Sequence, residues 1–317
     1  MDAVEDAVKE ASAIVDVVIV GGGPAGLSAA VMLGRARRSV IVVDEGKPRN
    51  RRAPHMHGLL GSDGVSPLGL LERGRADARK YGVTFVDGTV TVIEGTEGDF
   101  TVRGPQQIRA RRVVVATGLV DALPDVRGVE DLWGTGAVIC PYCDGWEVRD
   151  QPIGVIATSP MSRNQAHLLR QWTPELTVFG AREAGIPPVE VDGLVARGIT
   201  LAPPATAVRG ALGGLSVMTE AGEHRVARVF VGARPRPTDA LLTMLGCATI
   251  ETPAGPFVRT DASGQTSVTG VWAVGNVADS KALVPISLGA GTQAALQINI
   301  SPLEEEIAAR SDVRQPA

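Results

Sequence analysis

Residues 15–20 read Val-Asp-Val-Val-Ile-Val, apolar at nearly every position rather than at every second one. Such a run predicts a parallel strand buried on both faces. The glycines at 21–23 mark a turn, and a helix is predicted over 24–35. A second apolar run at 39–43 closes on Asp44. Strand, helix and strand at this spacing make a βαβ unit. Residues 45–60 are rich in Arg and Pro and predict a loop, followed by a helix over 67–81. Short strands are expected near 83–86, 90–94 and 100–103, and another doubly buried one at 112–116.

After Pro124 and a cluster of charges the pattern begins again. Apolar runs at 153–157 and 176–179 flank a predicted helix at 163–172, as an internal duplication of the first βαβ unit would, and a run at 226–231 ends this part. Glycine-rich sequence then returns at 270–298. The expected fold is α/β, with two dinucleotide-binding, Rossmann-like domains. The first is discontinuous, over residues 12–118 and 247–303. The second, over 119–246, is inserted in it, and 304–317 is a polar tail.

At 317 residues the chain is long enough for about two domains. The net charge of -4 argues against nucleic acid as a partner, which calls for a basic stripe. The start, Met-Asp-Ala-Val-Glu-Asp, lacks the basic and apolar regions of a signal peptide. The apolar stretch at 14–33 has about the length of a membrane span, but it holds Asp16, Pro24 and several glycines. A cytoplasmic protein with no membrane association is expected.

Gly21-Gly22-Gly23-Pro24-Ala25-Gly26 matches G-x-G-x-x-G, with a strand before it, a helix after it, and Asp44 18 residues beyond Gly26. Gly21 permits the turn, Gly23 lets the backbone approach a pyrophosphate, and Gly26 lets the helix pack on the sheet. The helix N-terminus favours the phosphates, and Asp44 can accept from ribose hydroxyls. Two further apolar strands end in small residues: one in Ala116-Thr117-Gly118, the other in Val274-Gly275-Asn276.

Cys140-Pro141-Tyr142-Cys143-Asp144 places two cysteines two residues apart, a spacing that permits a readily exchanged disulfide. A zinc site would need two more ligands, and neither a second Cys pair nor a nearby His supplies them; no metal is expected. A glutaredoxin would carry such a motif near the start of a much shorter fold. Cys247 stands alone in an apolar stretch and reads as core.

The order GGGPAG, VVVATG, CPYCDGWE and VWAVGNVAD resembles the low-molecular-weight thioredoxin reductases, over roughly residues 14–300. The resemblance implies FAD in the first domain and a homodimer. It places Cys143 against the flavin C4a, makes Cys140 the exposed interchange thiol, and makes Asp144 the proton donor. Ser287 would lie by the flavin pyrimidine edge. The expected cofactor shell is Gly21, Gly23, Pro24, Ala25, Gly26, Asp44, Glu45, His57, Val90, Ala116, Thr117, Gly118, Gly275, Asn276, Ile286 and Ser287. The family's usual acid after the last glycine is here Asn276.

One departure is large. The second glycine-rich turn, which holds NADPH in the reductases, is replaced by Ala157-Thr158-Ser159-Pro160-Met161, and no His-Arg-Arg cluster follows for a 2′-phosphate. A flavin and a dithiol without a nicotinamide cradle resemble the dithiol oxidases that close disulfides in gliotoxin, holomycin and romidepsin. That resemblance implies a small-molecule dithiol and dioxygen as partners. Ferredoxin-linked or NADPH-dependent reductases, and a flavoprotein that sequesters a toxic dithiol, are the alternatives.

Overall fold

The computed structural model describes residues 14–312. These fall into two compact units. One comprises the described residues through Arg49, Leu68–Val120, and the chain from Arg236 on; the other comprises Asn50–Pro67 and Asp121–Pro235. Three segments therefore group differently from expectation: Leu119–Val120 belongs with the first unit, and two longer ones also change sides. Asn50–Pro67 belongs with the second unit, and residues 236–246 belong with the first.

The first unit is built on a seven-stranded sheet. Val15–Val20 lies at its centre, parallel to Val40–Asp44 on one side and to Gln107–Val115 on the other. Thr84–Asp87 extends the first edge. The long strand Gln107–Val115 changes neighbours along its length. Its first half pairs antiparallel with Asp99–Arg103, and Val113–Val115 pair in parallel with Val271–Ala273. The change follows the sequence: Ile108 and Ala110 are buried while Gln107, Arg109 and Arg111 are more open, whereas 112–115 are buried throughout.

Side-chain alternation splits the core of this sheet in two. Val17, Ile19, Val40, Val42 and Val114 face the helix Pro24–Arg35 and the last helix, through Ala29, Ala30, Leu33, Ala294 and Ile298. Val18, Val20, Val43, Val113 and Val115 face Phe100, Leu241, Leu242 and Val258. Small residues let the two helices approach closely; a β-carbon at Gly291 would lie 2.0 Å from the Ala25 carbonyl oxygen. The last helix, Val284–Asp312, runs on through the region expected to be a polar tail. Residues 313–317 of that expectation, and 12–13 of the expected first domain, lie outside the described residues.

The second unit holds a five-stranded parallel sheet. Ile153–Ile156 stands between Leu176–Phe179 and Arg228–Val231, with Thr200–Ala202 and the short strand Ala137–Val138 at the edges. Ser162–Leu169 and Pro188–Ala196 are its helices, contributing Ala166, Leu169, Val191 and Leu194 to the core. A three-stranded antiparallel sheet, Ala207–Ala211, Gly214–Thr219 and Gly222–Val226, joins a second cluster around Val217 and Val229. Sequence pattern alone did not show this sheet, because its strands are short and separated only by tight turns.

Candidate functional site

In the first unit the glycine turn is fixed by what lies under each glycine. Gly21 has φ +107°, and a β-carbon there would sit 2.4 Å from the Ala116 carbonyl oxygen. At Gly26 a β-carbon would meet the Gly21 carbonyl oxygen. Gly23 has open space where a side chain would be, and it opens the 12-residue helix Pro24–Arg35 with no side-chain cap and no acid in the first turn. The start of this helix is thus bare of protein side chains and favours an anion.

The other expected cofactor residues of this unit largely gather at the same place. Gly275, with φ +75°, would carry a β-carbon 2.9 Å from that of Ala25 and 3.7 Å from the Ser287 hydroxyl. Ser287 is buried, whereas Ile286 is half exposed. Thr117 donates its hydroxyl to the Thr238 carbonyl, and Gly118 has φ +71°. Asp44 accepts from the Gly22 N–H at 2.9 Å and is paired with Arg75, so its carboxylate closes the underside of the turn. Asn276 accepts from Arg49 at 3.2 Å and donates to the Asp279 and Ala282 carbonyls at 2.9 and 3.0 Å. Glu45 is an exposed partner of Lys47, and the Val90 side chain is packed in the core with Val18 and Val43.

In the second unit Cys140 and Cys143 form a disulfide, with α-carbons 5.2 Å apart. Cys140 caps the single turn Pro141–Asp144, its sulfur accepting from the Cys143 N–H at 3.1 Å. Proline at the first helical position costs no hydrogen bond, because that N–H has no partner within a helix. Tyr142 and Trp146 stand exposed beside the disulfide, and Tyr142 meets Trp172 edge to face at 6.0 Å.

Asp144 follows the pair and is largely buried. Burial pushes its carboxyl up to about 6, against the pull of Arg228, while Glu147 adds to the rise and His57 opposes it. A carboxyl in this range can take and return a proton near neutrality. His57, expected in the flavin shell, is placed in this unit. Its Nδ1 lies 3.2 Å from Asp63 and its Nε2 lies 3.5 Å from Glu147.

Two residues here were not found from sequence. Arg228 donates to Asp144 at 3.1 Å. Gln165 donates to the Ile139 carbonyl, immediately before Cys140, at 2.7 Å. Neither has a local signal, because each reaches the motif from a distant strand or helix.

The loop after Ile153–Ile156 is closed on itself. The Thr158 N–H donates to the Ser162 hydroxyl at 3.1 Å, and the Thr158 hydroxyl donates to the Gly232 carbonyl. Both hydroxyls fill the space beside Gly232, where a β-carbon would lie 2.6 and 2.8 Å from them. The strand-helix-strand frame of a dinucleotide fold persists, and the Thr158 and Ser162 side chains cross-link the loop after its first strand.

A family model described as pyridine nucleotide-disulphide oxidoreductase matches residues 15–291. The chain belongs to this family. Among its relatives, the thioredoxin reductase sirT of Leptosphaeria maculans is 30% identical, over 94% of this chain and 97% of that protein. A probable thioredoxin reductase of Arthroderma benhamiae is 40% identical over 150 residues, a stretch spanning 44% of this chain and only 37% of that relative. The crystal structure of HlmI is 42% identical, with TM-score 0.89 over 95% of this chain and 96% of that one. A putative thioredoxin reductase, TrxB of Bacillus anthracis, is 28% identical, with TM-score 0.84 over 92% and 99%.

The oxidoreductase is thus a thioredoxin-reductase-like flavoprotein, and its cofactor is FAD. The residues present fit that group: the bare helix start and the open space at Gly23 suit a pyrophosphate. No helix among the described residues is long and apolar enough to cross a membrane.

Proposed function

We propose that this oxidoreductase converts a small-molecule dithiol into its intramolecular disulfide, with dioxygen as final acceptor and hydrogen peroxide as the second product. We further propose that it acts in the cytoplasm as a homodimer. The observation that carries the reading is the self-bonded Thr158–Ser162 loop. The Thr158 N–H is spent on the Ser162 hydroxyl and the Thr158 hydroxyl on the Gly232 carbonyl, so a dinucleotide phosphate there would forgo those charge-assisted hydrogen bonds, worth ~1.5–3 kcal/mol each. A reductant other than NADPH then has to supply the electrons, and the half-buried Cys140 pair, with Tyr142 and Trp146 exposed close by in sequence, suits a dithiol.

The chemistry balances in two exchanges. A substrate thiolate attacks the Cys140 sulfur; that bond forms as the Cys140–Cys143 bond breaks, and Cys143 leaves as thiolate. The second substrate thiolate then attacks the sulfur of the first, releasing the cyclic disulfide and the Cys140 thiolate. Asp144 takes up and returns the thiol protons. Bound FAD supplies the two-electron relay from the reduced pair to dioxygen.

The test is anaerobic. Dithiothreitol should bleach the yellow protein, excess NADPH should leave it coloured, and air should restore the colour with one peroxide per dithiol consumed. Rapid bleaching by NADPH would return the protein to the ordinary reductases. Reduction by ferredoxin with poor oxygen reactivity would make it a ferredoxin-linked reductase. Tight dithiol binding without oxygen consumption would make it a sequestering protein.

A further inference from the structure

Arg228 opens the strand Arg228–Val231, which runs between the chain entering the dithiol motif and the chain leaving it. On one side Val229 pairs with Ala137, three residues before Cys140; on the other Arg228 pairs with Ile153. From this position its guanidinium donates to Asp144 at 3.1 Å, the two side chains being 23% and 26% exposed. The contact joins residues 84 apart in sequence. The other charged groups that act on Asp144 are Glu147, from the turn Trp146–Val148, and His57, from the segment Asn50–Pro67. His57 is itself held by Asp63.

We propose that Arg228 is a positioning residue for dithiol exchange: from its strand it holds the carboxyl of Asp144, the residue that follows Cys143 in the turn Pro141–Asp144, in place to receive the proton of the attacking substrate thiol. This rests on the dithiol reading above. The substrate thiol first gives its proton to the Asp144 carboxylate, and the thiolate so formed attacks Cys140. The electron pair of the broken disulfide stays on Cys143, and Asp144 returns the proton there.

Arg228 is the main influence opposing the burial of Asp144. Without it the carboxyl would titrate higher and would lose the contact that fixes its place. Lysine at this position would keep the charge but lose the planar fork that fixes direction.

The experiment uses the FAD-loaded protein and its Arg228→Gln, Arg228→Lys and Asp144→Asn variants. Two quantities are followed against pH: the anaerobic rate of bleaching by dithiothreitol, and the carboxyl carbon-13 signal of Asp144, assigned by its loss in Asp144→Asn. Arg228→Gln should move the carboxyl midpoint and the acid limb of the rate together to higher pH, by about 1–3 units. Arg228→Lys should recover most of the midpoint and less of the rate.

A wild-type midpoint and limb in Arg228→Gln, with FAD retained, would overturn the clamp. If Arg228→Gln does not fold, Arg228→Lys decides: a slower limb supports the clamp, and wild-type values in both readouts overturn it. A wild-type protein that dithiothreitol fails to reduce defeats the dithiol reading instead, since the carbon-13 titration does not depend on turnover.

Discussion

Gly26 packs so closely under Gly21 that a β-carbon at 26 would lie 1.9 Å from the Gly21 carbonyl oxygen. No rotamer change relieves that clash, because the obstructing atom is backbone. Gly26→Ala must therefore push the helix Pro24–Arg35 away from the turn that its N-terminus serves. The expected outcome is a protein purified with most of its FAD lost, its Tm lowered by overpacking worth about 1–3 kcal/mol. Flavin absorbance per chain measures the first effect and thermal unfolding the second. Full FAD content in Gly26→Ala would show that the turn does not depend on this contact.

Asp144 should make the folded state less stable at neutral pH, not more. Its carboxyl is raised from 3.8 to about 6, so the folded protein holds a proton that the unfolded chain has lost between those values. Stability from this group is full below about pH 3.8 and falls as pH rises through about 6, by roughly 3 kcal/mol in all. Asp144→Asn stays neutral and avoids the loss. At pH 7.5 or so its Tm should exceed that of the wild type, and the difference should vanish toward pH 4 or so. Its dithiol turnover should collapse over the same range. A variant less stable than wild type at neutral pH would contradict the burial argument.

The three cysteines should separate by accessibility. Cys140 and Cys143 are paired, and Cys247 is buried, its thiol pushed up by burial and set 3.5 Å from the Thr266 hydroxyl. The native oxidised protein should show no fast-reacting thiol. Reduction by dithiothreitol and its removal without air should expose the Cys140 pair, and denaturant should add Cys247. Labelling by a maleimide, read by mass spectrometry, checks the order. Fast labelling of Cys247 in the folded protein would contradict its place in the core.

The pattern of the chain made the βαβ unit legible because there the local signals agree. Val15–Val20 and Pro24–Arg35 appear with the bounds that their apolar runs and the Pro24 start imply. The Cys140 pair was legible for the same reason, since its spacing lies within one turn. Segment Asn50–Pro67 was not: its Arg and Pro content says loop, and nothing in a loop says which unit it will join. His57 followed that segment to Asp63 and Glu147. Arg228 was hidden among the many arginines of the chain, and only the parallel register of its strand brings it to Asp144. The hairpin Thr249–Thr252 with Gly255–Val258 was missed because two four-residue strands carry too little periodicity to register.

Asn276 occupies the place where the thioredoxin reductases carry an acid, and its contacts explain why restoring the acid should do harm. Its side-chain nitrogen donates to two backbone carbonyls, of Asp279 and Ala282, while its oxygen accepts from Arg49. Asn276→Asp would strengthen the last contact by making it an ion pair. It would also turn a carboxylate oxygen toward two carbonyl oxygens and remove both of their donors. One improved contact at 3.2 Å is set against two lost hydrogen bonds and a like-charge approach. Each lost bond in a part-buried loop costs about 1 kcal/mol, and an unmet acceptor costs more. The balance predicts a net loss of about 1–3 kcal/mol in stability and weaker FAD retention. Thermal unfolding of the apoprotein and FAD release on dilution measure the two. An Asn276→Asp protein that is more stable and holds FAD more tightly would mean that Arg49, not the loop carbonyls, governs the position.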